Sequence, residues 1–171
     1  AEAFFENVPE YKFRYPEIKS LAPNQRIHLA YRKDLAIEGF PVEHSIPTMG
    51  CTLFRYKKKL KKELLNATPE ELIAKRASGE EITIDLYEPL ISFMGDCKTE
   101  SLLKKPEIFD SEVLVIECTF LDDDDESMAK LKSHSHLNEI VRVLESIGDS
   151  AKCKTIILNH FSMKYSEKHI L

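Results

Sequence analysis

Short runs of apolar residues, each bounded by turn formers or charges, divide this chain into elements of two periods. Residues 25–31, 36–44 and 50–57 have the length and apolar content of strands, and Pro47 marks a turn between the last two. The next stretch, strongly basic, leads into a predicted helix that ends near Asn66. A second helix is announced by Thr68-Pro69-Glu70-Glu71, with Thr68 as N-cap, Pro69 at the first helical position and Glu71 at the third. It ends before Ser78-Gly79. A short strand is predicted at 81–85 and a buried one at 90–94. Residues 113–119 (Val-Leu-Val-Ile-Glu-Cys-Thr) are almost continuously apolar, as an interior parallel strand requires. Ser135 stands where a cap belongs for a helix with Leu137, Ile140, Val141, Leu144 and Ile147 on one face, and Gly148 where that helix stops. A last strand spans 154–159. Alternation of strands and helices in this second half predicts an α/β layered domain.

Three of these strands finish in side chains able to bind a metal. His44 follows Phe40-Pro41-Val42-Glu43, Asp96 follows Ser92-Phe93-Met94-Gly95, and His160 follows Ile156-Ile157-Leu158-Asn159. Ligands gather at the carboxyl edge of an α/β sheet, and imidazole with carboxylate suits zinc or a related borderline metal. Glu117, inside the most apolar strand, is costly to bury without a partner, so it is expected to have one.

Length and composition set the outer limits. At 171 residues the chain is sized for one domain with a real core. No run approaches the ~20 apolar residues that span a bilayer. Residues 1–10 lack the basic start and apolar core of a signal peptide. The four cysteines form no Cys-x-x-Cys pair, which predicts reduced thiols in a cytosolic, nuclear or organellar compartment. A net charge of −5 argues against a general polyanion binder, yet Arg55, Lys57, Lys58, Lys59, Lys61 and Lys62 put six cations in eight residues. Such a block makes a local, salt-sensitive phosphate contact or a solvated face. Residues 122–126 are all acidic.

The set Phe-Pro-Val-Glu-His-Ser-Ile-Pro, Ser-Phe-Met-Gly-Asp, Val-Ile-Glu-Cys-Thr-Phe, Lys-Ser-His-Ser-His and Asn-His-Phe-Ser-Met-Lys-Tyr, from roughly Tyr15 onward, closely resembles the later half of ribonuclease Z, in the same order. That family is the tRNA 3′-processing branch of the metallo-β-lactamase superfamily. The resemblance implies part of an αββα sandwich, with mixed sheets and helices on the outer faces, and residues 1–171 as the C-terminal part of one such domain. It implies two zinc ions per complete site, with manganese or magnesium as alternatives. His44 would complete the first metal site, Asp96 would bridge both metals, and His160 would bind the second. Glu117 falls in the family's His-Glu-Ala-Thr motif, here Ile116-Glu117-Cys118-Thr119. His134 or His136, from the His-Ser-Thr motif, would protonate the departing 3′ oxygen, and Glu117 would orient that histidine.

The family's His-x-His-x-Asp-His signature is not found in this sequence, which predicts that an N-terminal part carrying it belongs to the complete protein and that this chain alone is inactive. The basic residues lie where the family has an RNA-gripping arm, here around 55–78 and without a Gly-Pro-rich tip. The implied partners are precursor tRNA and a second copy of the chain in a homodimer. Two other readings remain open: a small-substrate phosphodiesterase of the same fold, which would not need a basic arm, and a non-catalytic tRNA-binding or scaffolding half.

Overall fold

In the computed structural model, which describes residues 20–170, the strand-like runs pair into one six-stranded sheet whose strands lie side by side in chain order. Residues 1–10 and the start of the resemblance near Tyr15 lie outside the described residues. The strands are β1 (Arg26–Leu29), β2 (Arg32–Val42), β3 (Thr48–Leu60), β4 (Thr83–Phe93), β5 (Val113–Glu117) and β6 (Thr155–Asn159). β1 to β4 run antiparallel to their neighbours, and β4, β5 and β6 are parallel. The helices are α1 (Pro69–Ala77), α2 (Glu100–Lys104), α3 (Glu126–Lys132), α4 (Leu137–Ile147) and α5 (Glu167–Ile170). Parallel pairing requires a crossover, and the segments carrying α2, and α3 with α4, supply it.

One face of the sheet is covered. Phe40, Leu114 and Ile116 pack against Leu102 of α2 and Ile140 and Val143 of α4 in a single apolar cluster. Within that face Thr52, Ser92 and Ser111 share a chain of hydroxyl hydrogen bonds, each 2.7 Å long, which satisfies three buried polar groups at once. The opposite face carries Ile91, Phe93 and Ile157, which are 41, 41 and 46% exposed. Among the described residues no helix is long and apolar enough to cross a membrane.

The structure corrects three expectations. The basic stretch does not lead into an α-helix: beyond β3 only a 3₁₀ turn, Lys62–Leu64, forms before Asn66. β3 continues to Leu60 because Lys57 to Leu60 each face a β4 partner, from Leu86 to Thr83, and the ladder supplies the hydrogen bonds a helix would have made. The strands expected at 81–85 and 90–94 are one strand. Pro89 between them has no N–H to give, and the register shift between Leu53 and Phe54 absorbs the irregularity it causes. Ser135 does not cap α4. Its hydroxyl donates to the Cys97 carbonyl, and His136 caps instead by accepting from the Asn138 N–H. The fold class itself is as expected: a mixed sheet with α2 and α4 packed on one outer face is part of an αββα sandwich, one sheet of it lying within the described residues.

The outer half of the β3–β4 hairpin stands clear of the sheet. β2 pairs with β3 only as far as Arg55, and β5 pairs with β4 only at Ile91–Phe93. Tyr56 to Leu60 therefore pair with Thr83 to Tyr87 as a two-stranded ribbon, closed by the loop that holds α1. Helix α1 has the reciprocal cap expected of it: Glu71 N–H donates to Thr68 Oγ1, and Thr68 N–H donates to Glu71 Oε2.

Candidate active site

Strand ends place the chemistry. His44 lies two residues past β2, His160 one past β6, and Asp96 three past β4. The turn to Asp96 needs Gly95, at φ +67°, where a Cβ would come within 3.1 Å of the Met49 carbonyl oxygen. His160 itself is held at φ +61°, an unusual state for a side chain with a Cβ. Glu117 ends β5, beside Asn159 of β6.

Glu117 is 2% exposed, and both its oxygens are filled. Oε1 accepts from the Cys97 N–H at 3.1 Å, the Ser135 N–H at 3.0 Å and His134 Nδ1 at 2.9 Å. Oε2 accepts from the Thr119 N–H at 3.0 Å and the Thr119 hydroxyl at 2.9 Å. Five donors on one carboxyl group identify it as an ionised acceptor. This answers the cost of burying it, and it joins three segments distant in sequence: Cys97, Glu117–Thr119 and His134–Ser135.

The histidines form a row. His44 and His134 have ring centroids 4.9 Å apart, and His134 stacks on His160 at 5.3 Å. His160 Nε2 lies 3.6 Å from Asp96 Oδ2. In each ring Nδ1 faces an oxygen: the Ser133 carbonyl at 2.7 Å for His44, Glu117 for His134, and the Thr119 hydroxyl at 2.9 Å for His160. A carbonyl and a carboxylate can only accept, so His44 and His134 carry their hydrogen on Nδ1. In their neutral forms Nε2 is left with a lone pair, the state a metal ligand or proton carrier needs.

Glu117, His134 and His160 offer possible ligand atoms within 4.8 Å of one another. Glu117 is the wrong member of that trio for a metal, because its lone pairs are already engaged. The donors that fit a borderline divalent metal are the Nε2 atoms of the row and the half-exposed Asp96 carboxylate.

Of the residues singled out from sequence, His44, Asp96, Glu117, His134 and His160 come to one edge of the sheet. His136 does not join them. It is fully buried; its Nδ1 accepts the Asn138 N–H and its Nε2 donates to the Asp122 carbonyl, so neither nitrogen is available for acid–base work. Arg55, Lys57, Lys58, Lys59, Lys61 and Lys62 lie toward the other end of the sheet. Nine ribbon steps separate Cys51, opposite Phe93, from Leu60, which is roughly 30 Å at the rise of a strand. Lys57 is ion-paired with Glu88, and Lys58 lies 3.8 Å from Asp85. The sequence pattern did not single out Thr119 or the Ser133 carbonyl. Thr119 was signalled by its place two residues after an acid at the end of a buried strand. A backbone carbonyl has no signature in the sequence.

The two buried cysteines beside the site are inert. Burial pushes both Cys97 and Cys118 up to about 12, with the Glu117 charge adding to the effect, so both are neutral thiols at ordinary pH.

No protein-family model matches the chain. Curated relatives do. It is 34% identical over 142 residues to tRNase Z TRZ1 of Arabidopsis thaliana, an alignment covering 81% of this chain and 49% of the relative. It is 30% identical over 142 residues to the Arabidopsis protein named tRNase Z TRZ2, chloroplastic, covering 81% and 39%. The chain thus spans about half, or less, of the length of the curated relatives it matches. Among solved structures it is similar to YhfI of Bacillus subtilis, described as a metallo-β-lactamase fold protein. That match has a TM-score of 0.53 and 12% identity, and covers 96% of this chain and 51% of the other. The likeness is one of fold.

Proposed function

The chain belongs to the ribonuclease Z (tRNase Z) family of the metallo-β-lactamase superfamily, and from that premise we propose that it is the part of a metal-dependent endoribonuclease that removes 3′ trailers from precursor tRNA. The observation that carries the proposal is the row of histidines anchored through Nδ1, with one of them held by the buried carboxylate of Glu117.

Three residues would hold divalent metal, zinc in the first instance: His44 at one position, His160 at another, and Asp96 between them. Bound there, two such ions would supply charge neutralisation at the phosphodiester and activation of a water. His134 is the group left for proton transfer. Glu117 keeps its Nδ1–H in place and so presents Nε2 outward. In the protonated ring that Nε2–H would be given to the departing 3′ oxygen.

Two groups per metal fall short of the three or four protein ligands of a zinc site. Further ligands would come from the remainder of a longer protein. The exposed apolar sheet face with Ile91, Phe93 and Ile157 supports this, since it offers a surface on which that remainder would pack. The β3–β4 ribbon would bind RNA remote from the cleavage point. Its outer end at Leu60 lies roughly 30 Å along the strand from Cys51 at the site end, a reach that suits a substrate of tRNA size and not a small phosphodiester.

The test uses the complete protein. Asp96→Ala and His160→Ala should lose bound metal, measured by elemental analysis, together with cleavage of precursor tRNA. His134→Ala should keep the metal and lose turnover. A His134→Ala protein that cleaves at the wild-type rate, or a wild-type protein that carries no metal, would overturn the proposal.

A further inference from the structure

We propose that the Thr119 hydroxyl is a positioning group for His160: it relays the charge of Glu117 to Nδ1 of that ring and so decides which ring nitrogen is left to bind metal. This rests on reading His160 as a metal ligand.

The available hydrogens dictate the tautomer. Thr119 Oγ1 lies 2.9 Å from Glu117 Oε2 and 2.9 Å from His160 Nδ1, and a hydroxyl has one hydrogen to give. Glu117 Oε2 can only accept, so that hydrogen is directed to the carboxylate. The Thr119 oxygen then faces Nδ1 with a lone pair, and Nδ1 must carry a hydrogen. This leaves the lone pair of His160 on Nε2, the atom 3.6 Å from Asp96 Oδ2. The other tautomer would set lone pair against lone pair unless the hydroxyl turned away from Glu117.

The same carboxylate therefore orders two stacked rings, His134 directly and His160 through one hydroxyl. The backbone around them is already fixed. Cys118 N–H donates to the Asn159 carbonyl at 2.8 Å, and Ser162 N–H donates to the Thr119 carbonyl at 3.0 Å. These bonds clamp the chain on both sides of His160 and sustain its positive φ. What they leave free is the rotation of the ring and the choice of tautomer. Thr119 restricts both.

The tautomer is read directly in the complete, metal-free protein with 15N-labelled histidine, from long-range 1H–15N correlations. His160 should be the Nδ1–H form in the wild type and in Thr119→Ser, which keeps the hydroxyl. In Thr119→Val it should become a mixture containing the Nε2–H form. Zinc affinity should fall about 10–100-fold in Thr119→Val, the range for losing a group that orients a ligand, and return with Thr119→Ser. A wild-type His160 in the Nε2–H form overturns the relay and needs no variant to show it. So does a Thr119→Val protein that binds zinc as tightly as wild type. If the wild type binds no zinc at all, the metal reading fails, while the tautomer measurement still decides the relay.

Discussion

Replacing Glu117 by glutamine changes one atom of a buried group, and the structure gives the size of the effect. The carboxylate accepts from five donors, three at Oε1 and two at Oε2. A glutamine has one acceptor oxygen. Placed toward Cys97, Ser135 and His134 it preserves those hydrogen bonds, and its NH2 then meets the Thr119 N–H, donor against donor. The flipped amide would confront three donors and is worse. In the better orientation one buried N–H is orphaned, at about 1–3 kcal/mol, and the remaining bonds are no longer charge-assisted. The Thr119 hydroxyl can turn and accept from the new amide, which recovers part of the loss. The net destabilisation should be about 2–4 kcal/mol, or a melting temperature lower by roughly 4–16 °C for a domain of this size. Urea unfolding of the Glu117→Gln and wild-type proteins measures it. Glu112→Gln, at an exposed position, serves as a control expected within about 0.5 kcal/mol. A Glu117→Gln protein as stable as that control would mean that Glu117 is not an ionised hub, and the orientation of both histidines would lose its basis.

The two histidines of the Ser133–His136 stretch should separate cleanly. His136→Ala should cost about 1–3 kcal/mol of stability by removing the cap and orphaning the Asp122 carbonyl, whereas His134→Ala should fold normally and lose about 10²–10⁴-fold in turnover. Replacing Lys57, Lys58, Lys61 and Lys62 by alanine in the complete protein should weaken precursor-tRNA binding and flatten its salt dependence, by roughly 0.7–0.9 in slope for each phosphate no longer neutralised; equal losses on a small phosphodiester would make the ribbon structural. The hydrogen bond from Arg142 holds Glu126 down at about 2, so its folded value lies below the ordinary glutamate value of 4.5. The link between α3 and α4 is then fully present above pH 4.5 and fades as pH falls toward 2. In Arg142→Gln the Glu126 carboxyl, followed by NMR, should titrate higher, toward 4.5, with Lys130 still holding it somewhat below; an unchanged midpoint would refute the assignment.

What the sequence determined by itself was local. The cap at Thr68, the apolar strand ending in Glu117 and the three metal-competent residues at strand ends all depend on residues a few positions apart, and each is visible as such. Tertiary structure decided whatever depends on a distant partner. The basic stretch had helical and strand options, and pairing with Asp85 and Leu86 selected the strand. Pro89 reads as a break until the register shift opposite it is seen. His134 and His136 are equivalent in sequence, two residues apart with a serine between. They differ because one reaches a carboxylate 17 positions earlier, while the other turns in beneath the Asp122 carbonyl to cap a helix. The role of Thr119 depends on His160, 41 positions away. Donors and acceptors find each other within about 3 Å in space, and no spacing along the chain records which of two histidines will arrive.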